Sequence, residues 1–181
     1  MVDMAKLEGS FYWAVGAMIV IVASSNYLVQ FPVPVSPLDE YLTYGAFTYP
    51  IAFLVTDITN RVMGPYKARM VVMVGFFLAV LLSFLLATPR IALASGTAFL
   101  VAQFLDITVF NYFRQSSWWR APLISSVLGS IVDTFLFFGI AFIGVLDIWF
   151  QLALGDLAFK LFVALLLLAP FRLVVGRKQP V

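Results

Sequence analysis

Apolar runs of about twenty residues recur along this chain, parted by short stretches of proline, glycine and charge. Inside a bilayer no water is available to a backbone amide, so each run must satisfy its own N–H and C=O groups, and a helix does so within one segment. At 1.5 Å per residue, about twenty residues span the roughly 30 Å hydrocarbon layer. Burying the same runs in a soluble core fails on composition. Hydrophobic residues make up 63% of the 181 positions and charged residues 11%, whereas soluble domains run at about 45–50% and about 25%. A soluble domain of this size could not hide that much apolar surface. The expected class is an all-α membrane protein forming one domain over 1–181.

The breaks divide the chain into six expected helices, at roughly 11–29, 43–62, 70–87, 91–113, 122–146 and 156–174. The first run is longer than the apolar part of a cleaved signal peptide, so it reads as an anchored helix. Residues 31–42, FPVPVSPLDEYL, read as a loop, because three prolines and Asp39-Glu40 stop a helix. Gly64-Pro65 ends the second helix. The third is apolar but for Ser83, which suits packing or a lipid face. Ala92, Ala94, Ser95, Gly96 and Ala98 let the fourth approach its neighbours closely. Trp118 and Trp119, in RQSSWWRA, fit headgroup level, and Pro122 suits a first helical turn.

Six crossings place nine of the eleven lysines and arginines on one side: Lys6, Arg61, Lys67, Arg69, Arg114, Arg120, Arg172, Arg177 and Lys178. Arg90 and Lys160 remain for the other. The positive-inside rule then puts both termini in the cytoplasm. The net charge of +2 is too small to argue for a nucleic-acid partner.

With no cysteine and no histidine, disulfides, thiol and serine–histidine nucleophiles and common zinc sites are excluded. The chemistry falls to Asp57, Asp106 and Asp133, each inside a span. An ionised aspartate near a helix centre costs about 2.5–3.5 kcal/mol. Three of them, at roughly 8–10 kcal/mol, rival the about 5–15 kcal/mol stability of a whole protein. They must face the bundle interior and be paired, protonated or wet. Helical rise puts Asp57 about 6 Å from Arg61 along its axis, Asp106 about 12 Å from Arg114, and Asp133 about 20 Å from Arg120. Asp57–Arg61 and Asp156–Lys160 are spaced four apart and suited to pairing. Gln103 lies one turn from Asp106. FLVTDIT, QFLDIT and SIVDT share an Asp followed closely by Thr, a short echo of the kind that internal repeats leave in transporters.

The segments SSNYLVQFPV (24–33), TYGAFTYPIAFLVTDITNRVMG (43–64), AQFLDITVFNYFRQSSWWRAP (102–122), SIVDTFLFFGIAF (130–142) and GDLAFK (155–160) resemble the queuosine precursor transporter family, of the VUT group of inner-membrane proteins. The likeness covers nearly the whole chain. It implies six transmembrane helices, an architecture similar to the substrate-binding subunits of energy-coupling-factor transporters, and residence in the bacterial inner membrane. It implies import of 7-deazaguanine bases, such as the cyano or aminomethyl precursors of queuosine, with no cofactor and no metal. On the family's motifs Asn26, Asp57, Gln103, Asp106, Asn111, Asp133 and Lys160 fall at matching places. Asn60 stands where the family has an apolar residue, so no family role is carried onto it.

Such a ligand fits the polar inventory. A guanine-like edge sets N1–H beside a 2-amino group, and one carboxylate accepts from both. Asp106 or Asp133 would read that edge, while Gln103, Asn26 or Lys160 would donate to O6. Phe47, Tyr49 or Trp119 would stack on the ring. An aminomethyl cation would need a second carboxylate. Two alternatives compete. One is a substrate-binding subunit that needs a separate ATP-driven module, against which Ala14, Gly16 and Ala17 form no clean small-xxx-small face. The other is an intramembrane aspartyl enzyme, against which no aspartate stands in a Gly-x-Gly-Asp context. Beyond its substrate and lipid, a second copy packed on the apolar third helix is a candidate partner.

Overall fold

The computed structural model describes residues 4–28, 31, 33–34, 44–86 and 88–176. Most of the loop expected at 31–42, with Asp39 and Glu40, lies outside them, as do Gln30, Thr43, Ala87 and the basic tail residues Arg177 and Lys178.

Among the described residues the structure is helical throughout, without strand. The segments are α1 (Met4–Leu28), α2 (Gly45–Thr48), α3 (Pro50–Met63), α4 (Pro65–Leu86), α5 (Pro89–Phe113), α6 (Arg120–Phe142) and α7 (Trp149–Val175). Among the described residues five helices are long and apolar enough to cross a membrane: α1, α4, α5, α6 and α7. Phe77, Leu81, Phe84, Leu85, Leu165 and Leu166 are exposed on α4 and α7. That suits lipid and would be an aggregation hazard in water.

The helix expected at 43–62 is instead two pieces broken at Tyr49. Pro50 has no N–H to continue the ladder. Tyr49 N–H still reaches Gly45 O at 2.9 Å, and Ala52 N–H then bonds Tyr49 O at 3.0 Å, a tighter turn. Alone, α3 has 14 residues, about 21 Å of helix, short of the roughly 30 Å layer.

Other boundaries moved for identifiable reasons. The third expected helix begins at Pro65, not at 70. Gly64 takes φ +85°, a left-handed conformation open to glycine, so one residue reverses the chain and the proline starts the next helix. Lys67 is therefore helical and lies over the Phe11 ring at 4.6 Å. The fifth expected helix stops at Phe142, before Gly144 at φ +75°. Arg90 donates to Ile140 O and Ile143 O, both at 2.7 Å, and satisfies the end carbonyls. The sixth begins at Trp149, seven residues before 156, and runs through Gly155.

One apolar cluster joins Met18 and Val22 of α1 to Ala52 of α3, Val71 and Val72 of α4, and Phe99 and Ile107 of α5. A second joins Phe110, Ala121, Phe171 and Val175 where α5, α6 and α7 meet. Ala92, Ala94, Ala98 and Ala102 are all buried on α5, in keeping with close approach through small residues. At Gly129 a Cβ would fall 2.7 Å from Phe53 Cε1 and 3.5 Å from Ala102 O. Glycine is what lets α6 approach α3 and α5 there.

Candidate functional site

All three aspartates point inward, with exposures of 2% for Asp57, 0% for Asp106 and 3% for Asp133. They form two separate polar groups.

The first group lies between α3, α5 and α6. The Asp57 carboxylate accepts from Ser125 Oγ at 3.3 Å and Ser126 Oγ at 3.2 Å. Asp106 lies against Asp57 and Ser125, near enough that a proton on either acid would bridge the two; no other donor reaches its buried oxygens. Gln103, one turn earlier on α5, accepts from Thr56 Oγ1 at 2.7 Å. Its amide nitrogen is buried without a partner. Asn60 donates to Ile107 O at 3.2 Å, and its Oδ1 is likewise unpartnered. Buried polar atoms left unsatisfied cost about 1–3 kcal/mol each, more when charged.

Asp57 does not pair with Arg61. Asp57 is turned toward the α6 serines, and Arg61 donates to Arg114 O. Arg114 returns the contact with bonds to Asn60 O and Arg61 O, both at 3.0 Å. Two arginines thus clasp the C-terminal ends of α3 and α5, where helix carbonyls attract cations.

The second group joins α6, α7 and the α2–α3 junction. Lys160 Nζ lies 2.9 Å from Asp133 Oδ2 and also pairs with Asp156. It donates to Thr134 Oγ1 at 3.1 Å, and Thr134 donates to Asp156 at 2.8 Å. Tyr49 Oη donates to the other Asp133 oxygen at 3.0 Å. The Asp156–Lys160 pair forms as its spacing predicts. Asp133, without a base nearby in sequence, finds one 27 positions later. This group is closed, since every carboxylate oxygen of Asp133 has a donor.

The remaining candidates lie apart. Asn26 donates to Val22 O at 2.9 Å and receives a 3.5 Å contact from Ser83, at the α1–α4 seam. Asn111 is exposed on α5. Phe47 is exposed and packs edge-on against Phe159 with centroids 4.5 Å apart. Trp119 is exposed beside Arg120 in the α5–α6 connection. Tyr49 is the aromatic candidate that reaches a polar group, by its hydroxyl, and its ring meets Phe99 edge-on. Thr56 stands out in the sequence as a polar residue inside an apolar run, whereas Ser125 and Thr134 carry no signal that marks them as partners of the acids. Among the described residues no cluster of acidic side chains could hold a metal ion.

The open group offers two acceptor oxygens at Asp106 and one amide donor at Gln103, side by side on one face of α5. A flat ligand with adjacent N–H donors and a carbonyl matches that order of groups.

Comparisons with known proteins agree on one family. The family model described as "Putative vitamin uptake transporter" matches residues 43–87 and 83–175. A "Probable queuosine precursor transporter" of Haemophilus influenzae is 36% identical over 84% of this chain and 80% of its own length. The "Queuosine precursor transporter" of Escherichia coli K12 is 35% identical over 89% of this chain and 84% of its own. A "Probable queuosine precursor transporter" of Bacillus subtilis is 28% identical over 68% of this chain and 67% of its own. No solved structure matches.

Proposed function

The chain belongs to the queuosine precursor transporter family, and we propose on that premise that it imports 7-deazaguanine bases through the open polar group between α3, α5 and α6. It is a multi-pass membrane protein and a transporter, not an enzyme. The observation that carries the substrate reading is the set of unpartnered buried atoms on α5, Asp106 Oδ1 and Oδ2 with Gln103 Nε2. Asp106 accepts from N1–H and the 2-amino group of the base, and Gln103 donates to O6. Asp57, held by two serines, flanks Asp106. Asp133 is engaged by Lys160 and Tyr49, so of the two carboxylates suited to reading the base edge, Asp106 is the better one.

Uptake of a labelled deazaguanine into proteoliposomes without nucleotide tests the reading. The intact chain takes up substrate, and Asp106→Asn lowers uptake at least about tenfold, the scale of one lost charge-assisted bond. Undiminished uptake by Asp106→Asn defeats the assignment. A strict need for an added ATPase module restores the subunit alternative.

In this reading α2 and α3 together, Gly45–Met63, complete a sixth crossing, and both termini face the cytoplasm of a cell whose inner membrane holds the protein. A cytoplasm-active reporter fused to either terminus then gives signal, and a periplasm-active one is silent. The reverse pattern at either end breaks the topology.

A further inference from the structure

At the end of the bundle where α3, α5 and α7 finish, a cleft of about 260 Å³ is lined by Arg61, Trp118, Phe171, Arg172 and Val175. Among the described residues no carboxylate lines it. The Arg172 guanidinium lies over the Trp118 ring at 4.5 Å, and among the described residues it makes no hydrogen bond. Arg61 spends one amino group on Arg114 O, while its Nε is buried and unpartnered. Phe171 and Val175 belong to the apolar cluster beneath.

Compensation of helix ends accounts for the clasp of Arg61 and Arg114, since each donates to terminal carbonyls. It does not account for Arg172, which rests on an indole and not on a carbonyl, nor for the idle Arg61 Nε. A guanidinium stacked by its face keeps its in-plane donors for a ligand. Arg172, stacked in this way, and Arg61, which is not, come from different helices onto one cleft where no acid lies among the described residues, and leave positive charge uncompensated there. Tetrahedral oxyanions suit donors converging from two directions, and guanidinium forks match phosphate oxygens in pairs.

We propose that this cleft binds a phosphate group, at a site separate from the Asp106 cluster. Arg172 and Arg61 supply the charge-assisted bonds, Trp118 holds Arg172 in place, and Phe171 with Val175 give the cleft an apolar floor. The same chemistry fits the phosphodiester of an anionic lipid headgroup, for which basic pockets between membrane helices are apt, and a soluble phosphate.

The test uses the delipidated full chain in detergent with three probes: phosphatidylglycerol, phosphatidylcholine and inorganic phosphate. Native mass spectrometry reads lipid retention, and thermal unfolding reads the phosphate response. Arg172→Gln is the main variant, because Arg172 caps no other element. Arg61→Gln also removes a cap from α5, so its effect is read only in a monodisperse preparation. Arg172→Lys keeps the charge without the fork. Retention of phosphatidylglycerol over phosphatidylcholine that falls about tenfold in Arg172→Gln, and partly in Arg172→Lys, supports a lipid headgroup site. A phosphate-dependent rise in Tm that Arg172→Gln abolishes supports a soluble phosphate. Equal retention by wild type and Arg172→Gln, with no phosphate response in either, overturns the proposal.

Discussion

Lys160 of α7 places its ammonium 2.9 Å from Asp133 of α6, with both side chains buried. It also pairs with Asp156 on its own helix. One cation thus holds two acids and ties α7 to α6, while Tyr49 brings the α2–α3 junction to the same carboxylate.

Removing that cation strands Asp133. Lys160→Met is expected to destabilise the protein by about 3–5 kcal/mol, the cost of breaking one side of a buried pair. The double change Lys160→Met with Asp133→Asn should recover part of it, because the more deeply buried of the two stranded charges is gone while Asp156 keeps its bond from Thr134. Thermal unfolding in detergent checks this. Equal loss in the single and double variants would show that the ion pair is not what joins the helices.

Thr56 fixes the orientation of Gln103 through its 2.7 Å bond to Oε1, so the amide nitrogen is the end left for a ligand. Thr56→Val removes the bond and keeps the shape. It should raise KM for uptake about fivefold, the worth of roughly 1 kcal/mol of neutral hydrogen bonding, with maximal rate within about twofold. A fall in rate at unchanged KM would place Thr56 outside binding.

Gly129 and Gly139 both lie on α6 and predict opposite results. A Cβ at Gly129 would meet Phe53 at 2.7 Å, whereas one at Gly139 meets only Ile143 Cδ1 at 3.7 Å, an ordinary contact. Phe53 is itself buried and has little room to yield. Gly129→Ala should cost about 1–3 kcal/mol through overpacking. Gly139→Ala should be neutral or gain up to about 1 kcal/mol from helix propensity. Comparison of their Tm values against the parent decides it.

Parts of this arrangement were legible in the residue string for a physical reason. An acid in lipid is so costly that Asp57, Asp106 and Asp133 had to turn inward, and they do. Asp156 and Lys160 share a helix face by spacing alone, and they pair. Other features were not legible. Asp57 and Arg61 have the same spacing and do not pair, because serines from α6 and carbonyls from α5 offer each a better partner. Nothing local links Asp133 to Lys160, since their contact exists only after α6 and α7 pack.

Residue chemistry along the chain was enough to require membrane helices, inward acids and a break at Gly64, because hydrophobicity, charge and backbone restriction act through neighbours in sequence; the second break, at Tyr49 inside the helix expected over 43–62, appears only in the structure. Which acid is satisfied and which is left open depends on donors arriving from other helices. Asp133 and Asp106 are the same residue type in similar runs. Packing delivered a lysine and a tyrosine to the first and set the second against another acid, Asp57, and no local rule distinguishes them.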